Sequence, residues 1–78
     1  MEKEVLLVIS TFPGAEAARQ IAEQLVTEKL AACANILPAV RSIYRWEGRI
    51  EESSETLVLF KTTRNRFDDL QRRLRALH

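Results

Sequence analysis

Two short apolar runs, Val5–Ile9 and Thr56–Phe60, each lead into a stretch whose apolar residues recur at helical spacing. This repeated strand-to-helix pairing constrains the fold more than any other feature of the chain. Val5-Leu6-Leu7-Val8-Ile9 is unbroken and is closed off by Phe12-Pro13-Gly14, so it reads as a strand buried on both faces. Ala17, Ala18, Ile21, Ala22, Leu25, Val26 and Leu30 then fall on one side of a helix of roughly four turns. Arg19, Gln20, Glu23 and Glu28 lie between them. Pro13 near the start and Gly14 as an N-cap suit this helix. Thr56-Leu57-Val58-Leu59-Phe60 reads as another strongly buried strand. Phe67, Leu70, Leu74 and Leu77 set the second helical stripe behind it. Asp68 and Asp69 stand near its N-terminal half and Arg72, Arg73 and Arg75 near its C-terminal half, the polarity a helix dipole favours.

Between these two units, Ala32 to Ile50 is extended. Pro38 lacks a ladder donor, which predicts a kink, a bulge or an edge position. Beyond it Val40, Ser42, Tyr44 and Trp46 share one face and Arg41, Ile43, Arg45 and Glu47 the other. Glu47-Gly48-Arg49 supplies a turn, and a polar patch from Glu51 to Glu55 follows. The order is β-α-β-β-α. A split β-α-β unit of this kind normally closes with a further strand, and none is present.

With 78 residues, the chain is one domain spanning 1–78. A domain this small buries about 60–70% of the surface its unfolded chain exposes, so its own core is thin. Hydrophobic residues make up 46% of the chain, with two glycines and two prolines, which excludes a disordered polypeptide. Twelve basic residues against eleven acidic ones leave a formal charge of +1. That balance supplies no electrostatic drive towards nucleic acid or an anionic membrane. Arg64, Arg66, Arg72, Arg73 and Arg75 are interrupted by Asp68 and Asp69, and the buried strands lack exposed aromatic pairs, so they read as a solvated helix face. No apolar run reaches the length of a membrane span. Met1-Glu2-Lys3-Glu4 lacks the basic and apolar regions of a signal peptide, and Cys33 is the only cysteine. A cytoplasmic protein is expected.

The sequence offers no Ser-His-Asp arrangement, Gly-rich phosphate loop or CxxC pair, and no catalytic role is expected. Cys33 lies in a run of small residues, Ala31-Ala32-Cys33-Ala34, where packing is the simpler role than metal or redox chemistry. His78 follows a helical stripe and reads first as an exposed residue favoured by the helix dipole. Tyr44 and Trp46 are large aromatics on a hairpin that outruns the core of so small a domain, and an intersubunit role suits them better than a monomer core. Lys61 is either a solvated strand end or an anion-binding cation at a cleft.

Four ordered motifs now fall together. They are Glu28-Lys29-Leu30-Ala31-Ala32-Cys33-Ala34-Asn35-Ile36, then Ser42-Ile43-Tyr44-Arg45-Trp46-Glu47-Gly48-Arg49-Ile50-Glu51, then Leu59-Phe60-Lys61-Thr62-Thr63, and last Leu74-Arg75-Ala76-Leu77-His78. In this order, over nearly the whole chain, they resemble the CutA family. The resemblance implies an α+β, ferredoxin-like sandwich with a long β-hairpin, similar in architecture to the PII signalling proteins, with the family's final strand and C-terminal segment absent from this chain. It also implies a homotrimer with interlocking hairpins, and a part in tolerance of, or response to, divalent cations, chiefly copper. A PII-like sensor using clefts between subunits, lined by Tyr44, Trp46 and Lys61, is the alternative. Copper ligands proposed for some bacterial members fall at Ser10, Leu77 and His78, so His78 alone remains as a metal ligand and only weak copper binding is expected. No cofactor is required. The chain is expected to partner itself and divalent cations, not nucleic acid or membrane.

Overall fold

The structure is a computed structural model that describes residues 4–78. Met1, Glu2 and Lys3, on which the expectation of no signal peptide partly rests, lie outside these residues. The elements are β1 (Val5–Phe12), α1 (Ala15–Thr27), β2 (Cys33–Trp46), β3 (Arg49–Thr63) and α2 (Arg64–Leu77). The three strands form one sheet in the order β1-β3-β2, with both pairings antiparallel. The β-α-β-β-α order is therefore the one the periodicity predicts.

Both helices lie on the same side of the sheet. Alternation along the strands sends Phe12 of β1 and Val58 and Phe60 of β3 into this layer, where they meet Ala18, Ala22 and Leu25 of α1 and Leu70 of α2. β3 is the central strand, and Val58 and Phe60 are fully buried. Full burial of one such side chain stabilises the fold by about 1.5–3 kcal/mol. Small residues on α1 let the helix approach the sheet closely.

The apolar pattern of α1 continues to Leu30, but the helix stops at Thr27. Lys29 takes a left-handed conformation at φ 63°. The Lys29 N–H donates to the Val26 carbonyl and the Leu30 N–H to the Leu25 carbonyl, both at 3.0 Å. This is the double hydrogen bond of a Schellman C-cap. It folds Leu30 back onto the core, which explains why Leu30 obeys the helical pattern without being helical. A lysine is an unfavourable choice at that dihedral, and neighbouring elements hold it there. Arg66 Nη1 donates to the Lys29 carbonyl at 2.9 Å, and the Thr62 hydroxyl donates to the Leu30 carbonyl at 2.7 Å. Arg73 grips Glu28 through both carboxylate oxygens.

One expectation is overturned in β1. Val5, Leu7 and Ile9 are 68%, 63% and 62% exposed, so the strand is covered on one face only. Two helices of 13 and 14 residues both pack on the other side, and among the described residues no element crosses to the open one. The polar stretch Glu51–Glu55 is also not a break between strands. It lies inside β3, which runs without interruption for 15 residues.

The hairpin of β2 and β3 turns through Glu47 and Gly48, whose φ values of 50° and 77° are those of a type I′ turn. Gly48 meets this requirement without strain; Glu47 does so against its preference. At about 3.3 Å per residue, a 15-residue strand is about 50 Å long, against about 20 Å for a 13-residue helix. The molecule is accordingly elongated, 49 × 23 × 21 Å, and the turn end of the hairpin projects as an arm beyond the helices.

Candidate functional site

The open face of the sheet gathers most of the residues singled out in the sequence. Opposite residues in an antiparallel pair point to the same side, so the register assigns each face. Leu7 and Cys33 flank Lys61, Ile9 and Asn35 flank Leu59, and Leu37 pairs with Leu57. Further along β2 the pairing of Tyr44 with Glu51 and of Trp46 with Arg49 continues the same face to the arm. Trp46 is 59% exposed and Tyr44 44%, so neither aromatic belongs to the core of this chain.

Pro38 makes this arrangement possible. Leu37 pairs with Leu57 and Val40 with Glu55, so Pro38 and Ala39 together stand against Thr56 alone. This two-for-one bulge lets β2 omit a ladder bond where proline has no N–H to give. Ala39 takes φ 61° within it. Just past the bulge the Ser42 hydroxyl donates to the Glu55 carboxylate on the open face.

Lys61 shares this face but not the neighbourhood of the aromatics. Ten residues of β3 separate it from Glu51, the partner of Tyr44, which is about 33 Å of strand. One chain therefore does not bring Tyr44, Trp46 and Lys61 together. Among the described residues, Lys61 has no ion-pair partner. Cys33 is half-buried at the start of β2, and its Sγ lies 3.8 Å from Asn35 Oδ1.

His78 caps the end of α2 and reaches β1. Its Nε2 lies 2.9 Å from the Thr11 carbonyl oxygen, which can only accept, so Nε2 carries the proton. The imidazole also packs on Phe12, with ring centroids 4.6 Å apart. Leu77 packs against the core, and Ser10 lies on the helix-covered side of β1, paired with Val58. The ends of β1 and α2 do meet, but they bring a hydroxyl, an aliphatic side chain and one engaged imidazole. Among the described residues, no three His, Cys, Asp or Glu side chains converge as metal ligands would.

The arginines of α2 are largely engaged within the fold. Arg64 pairs with Glu4 at 2.7 Å, Arg72 with Asp69 at 3.0 Å and Arg73 with Glu28 at 3.0 Å. Hydrogen bonding to Arg64 lowers the Glu4 carboxyl from its ordinary pKa, and Arg73 does the same for Glu28. This face is crossed by ion pairs and is not an open cationic stripe. Among the described residues, no helix is long and apolar enough to cross a membrane.

What sequence reasoning missed is the stripe Val5, Leu7 and Ile9, taken as core but exposed beside the rest of the open face. No local signal marked it, because two helices can pack on one face of a sheet or on opposite faces, and only the tertiary structure puts both on the same side.

Residues 6–78 match the family described as CutA1 divalent ion tolerance protein. The divalent-cation tolerance protein CutA of Thermus thermophilus is 51% identical over 76 residues, which are 97% of this chain and 72% of that protein. The chloroplastic protein CutA of Arabidopsis thaliana is 40% identical over 73 residues, 94% of this chain but 40% of its own length. Among solved structures, CutA1 from Ehrlichia chaffeensis superposes with a TM-score of 0.93 at 33% identity, covering 100% of this chain and 73% of its own. The Thermus thermophilus structure gives 0.82 at 50% identity, with the same coverage.

Proposed function

The chain belongs to the CutA1 family of divalent ion tolerance proteins, and from that membership we propose that it acts in divalent-cation tolerance as a self-associating, non-enzymatic protein. The observation that carries the self-association is the open sheet face. Val5, Leu7 and Ile9 stand exposed beside the half-buried Leu57 and Leu59 and the exposed Leu37, and a contiguous apolar surface of this kind favours an interaction site. Closed cyclic symmetry covers such a face without leaving a copy of it free, whereas an open head-to-tail contact propagates. We take the assembly to be a homotrimer built on the hairpin from Ala39 to Thr62, in the cytoplasm. A solved CutA relative from Archaeoglobus fulgidus is described as periplasmic, so cell fractionation is the check on compartment. Light scattering at micromolar concentration should report three subunits. A stable, folded monomer rejects the reading.

The residues present do not fit a tight copper site. Copper prefers converging thiolates and imidazoles. Here the Nε2 of His78 is committed to Thr11, and Ser10 and Leu77 bring no such ligand. The proposed cation response therefore works through weak binding or through the assembly as a whole, with no resident cofactor. Calorimetry should show weak copper binding that falls further in His78→Ala. Tight, stoichiometric binding that survives this substitution overturns the proposal.

A second reading draws on Lys61, a cation without an ion-pair partner among the described residues, on the face that self-association would cover. In a trimer, Tyr44 and Trp46 of one copy could approach Lys61 of another and line a cleft for an anionic small molecule, as in a PII-like sensor. Thermal-shift measurements with inorganic phosphate and citrate, in wild type and Lys61→Ala, test it. A Lys61-independent response, or none, rejects it.

A further inference from the structure

We infer that the cavity between the end of α1 and the start of α2 binds a small organic phosphate, with Lys29 and Arg66 holding the phosphate and the apolar floor behind them taking its body. The cavity has a volume of about 430 Å³, within the range of about 300–1,000 Å³ usual for small-molecule sites. Val26, Leu30 and Ala31 form the floor, and Lys29, Asn65 and Arg66 a polar rim. Thr62 also lines it and points to the helices, so the cavity lies on the side of the sheet away from the open face. The inference does not depend on self-association.

Charge complementarity identifies the occupant. Among the described residues no carboxylate lines the cavity, and none pairs with Lys29 or Arg66. The neighbouring carboxylates are engaged elsewhere, Glu28 with Arg73, Asp69 with Arg72 and Glu4 with Arg64. Asp68, two residues past Arg66, stands on another side of α2. Two uncompensated cations at one cavity match a phosphate monoester, which carries a charge of about −1.5 to −2 at neutral pH. The guanidinium offers a planar fork to two phosphate oxygens, and the ammonium adds a compact charge. An apolar floor contributes nothing to inorganic phosphate, but it shelters the organic part of an ester.

Local energetics explains neither cation. Lys29 sits at φ 63°, where glycine meets the demand of the turn without strain and lysine does not. What lysine adds there is a long cationic side chain at the cavity rim. Arg66 lies in the first turn of α2, where the helix dipole disfavours a positive charge. Its Nη1 donates to the Lys29 carbonyl at 2.9 Å, which fixes the guanidinium beside the cavity and uses one of its five N–H groups. The cations are thus tied to each other through the backbone before any ligand arrives, which lowers the cost of ordering them on binding.

Titration of the full chain with phenyl phosphate, inorganic phosphate and benzyl alcohol, followed by NMR amide shifts, tests the inference. Phenyl phosphate should bind at millimolar concentration, more tightly than either fragment, and shift the amides of residues 29–32 and 63–66. Lys29→Gly removes the ammonium while easing the left-handed turn, so it should unfold no more readily than wild type yet bind about tenfold more weakly. Arg66→Gln keeps a donor for the Lys29 carbonyl and removes the charge, and should weaken binding by a similar factor. Arg75→Ala, which takes an exposed cation from the far end of the same helix, should leave the affinity unchanged. No binding of phenyl phosphate, or shifts confined to the open face around Lys61, overturns the inference. So does wild-type affinity in either folded site variant, an equal loss in Arg75→Ala, or inorganic phosphate binding as tightly as the ester.

Discussion

Between Thr56 and Thr63, β3 lies under two helices and buries every second side chain, whereas between Arg49 and Glu55 the same strand pairs only with β2 and fully buries none. Apolar composition does not explain the contrast. Ile43, Trp46 and Ile50 in the arm are as hydrophobic as Val58 and Phe60 in the sheet, yet they stand exposed. Burial on a sheet needs a second layer, and the helices are long enough to supply one over half of the hairpin. Folding stability is thus concentrated in the helix-covered half, and the arm contributes little to it.

The sharpest way to break this comparison is to cut into the covered half. Phe60→Ala should cost about 3–5 kcal/mol, a large share of the total stability of a small domain. Urea unfolding should show a lost or strongly shifted transition. If the midpoint barely moves, the core is not where the structure puts it.

A milder test of the same half is Thr62→Val. It removes the hydroxyl that donates to the Leu30 carbonyl at 2.7 Å and should cost about 1 kcal/mol. At the boundary between the halves the sign reverses. Ala39→Gly keeps the bulge and relieves its left-handed backbone, so thermal unfolding should report a gain of about 0.5–1 kcal/mol. Destabilisation there would show that the Ala39 methyl packs against something the bulge needs.

In the arm, Trp46→Ala should change the stability of the dissociated chain by no more than about 0.5 kcal/mol, since it removes exposed surface. The same substitution should weaken self-association. Dilution series of wild type and variant, followed by light scattering and circular dichroism, separate the two effects.

The smallest effect concerns pH. Hydrogen bonding to Arg73, with help from Gln24, holds the Glu28 carboxyl below its ordinary value of 4.5. A depressed carboxylate contributes stability that is fully present above the unfolded value and is lost as pH falls through the folded one. The pair is solvent-exposed, so the contribution is small and salt-sensitive. A stability difference between wild type and Arg73→Ala should be visible at neutral pH and should close as the pH drops below 4.5. A difference that persists unchanged in acid would mean that Arg73 acts through its aliphatic stem.

Local pattern alone determined the five elements and their order, because periods of 2 and 3.6 are written directly into side-chain spacing. It also showed Pro38 as a break in β2, and Tyr44 and Trp46 as one face of the arm. Three things were decided only by tertiary structure. α1 ends at Thr27 although its pattern runs to Leu30, because Arg66, Thr62 and Arg73, remote in sequence, hold the left-handed turn at Lys29. His78 is tied to Thr11 and Phe12, a contact across 66 intervening residues that no local signal encodes. Whether an apolar strand is buried on one face or two depends on how many layers the whole chain can build. For β1 the sequence supplies apolar side chains on both faces but helices for only one. That mismatch, legible only once the helices are seen to share a side, leaves Val5, Leu7 and Ile9 in the open.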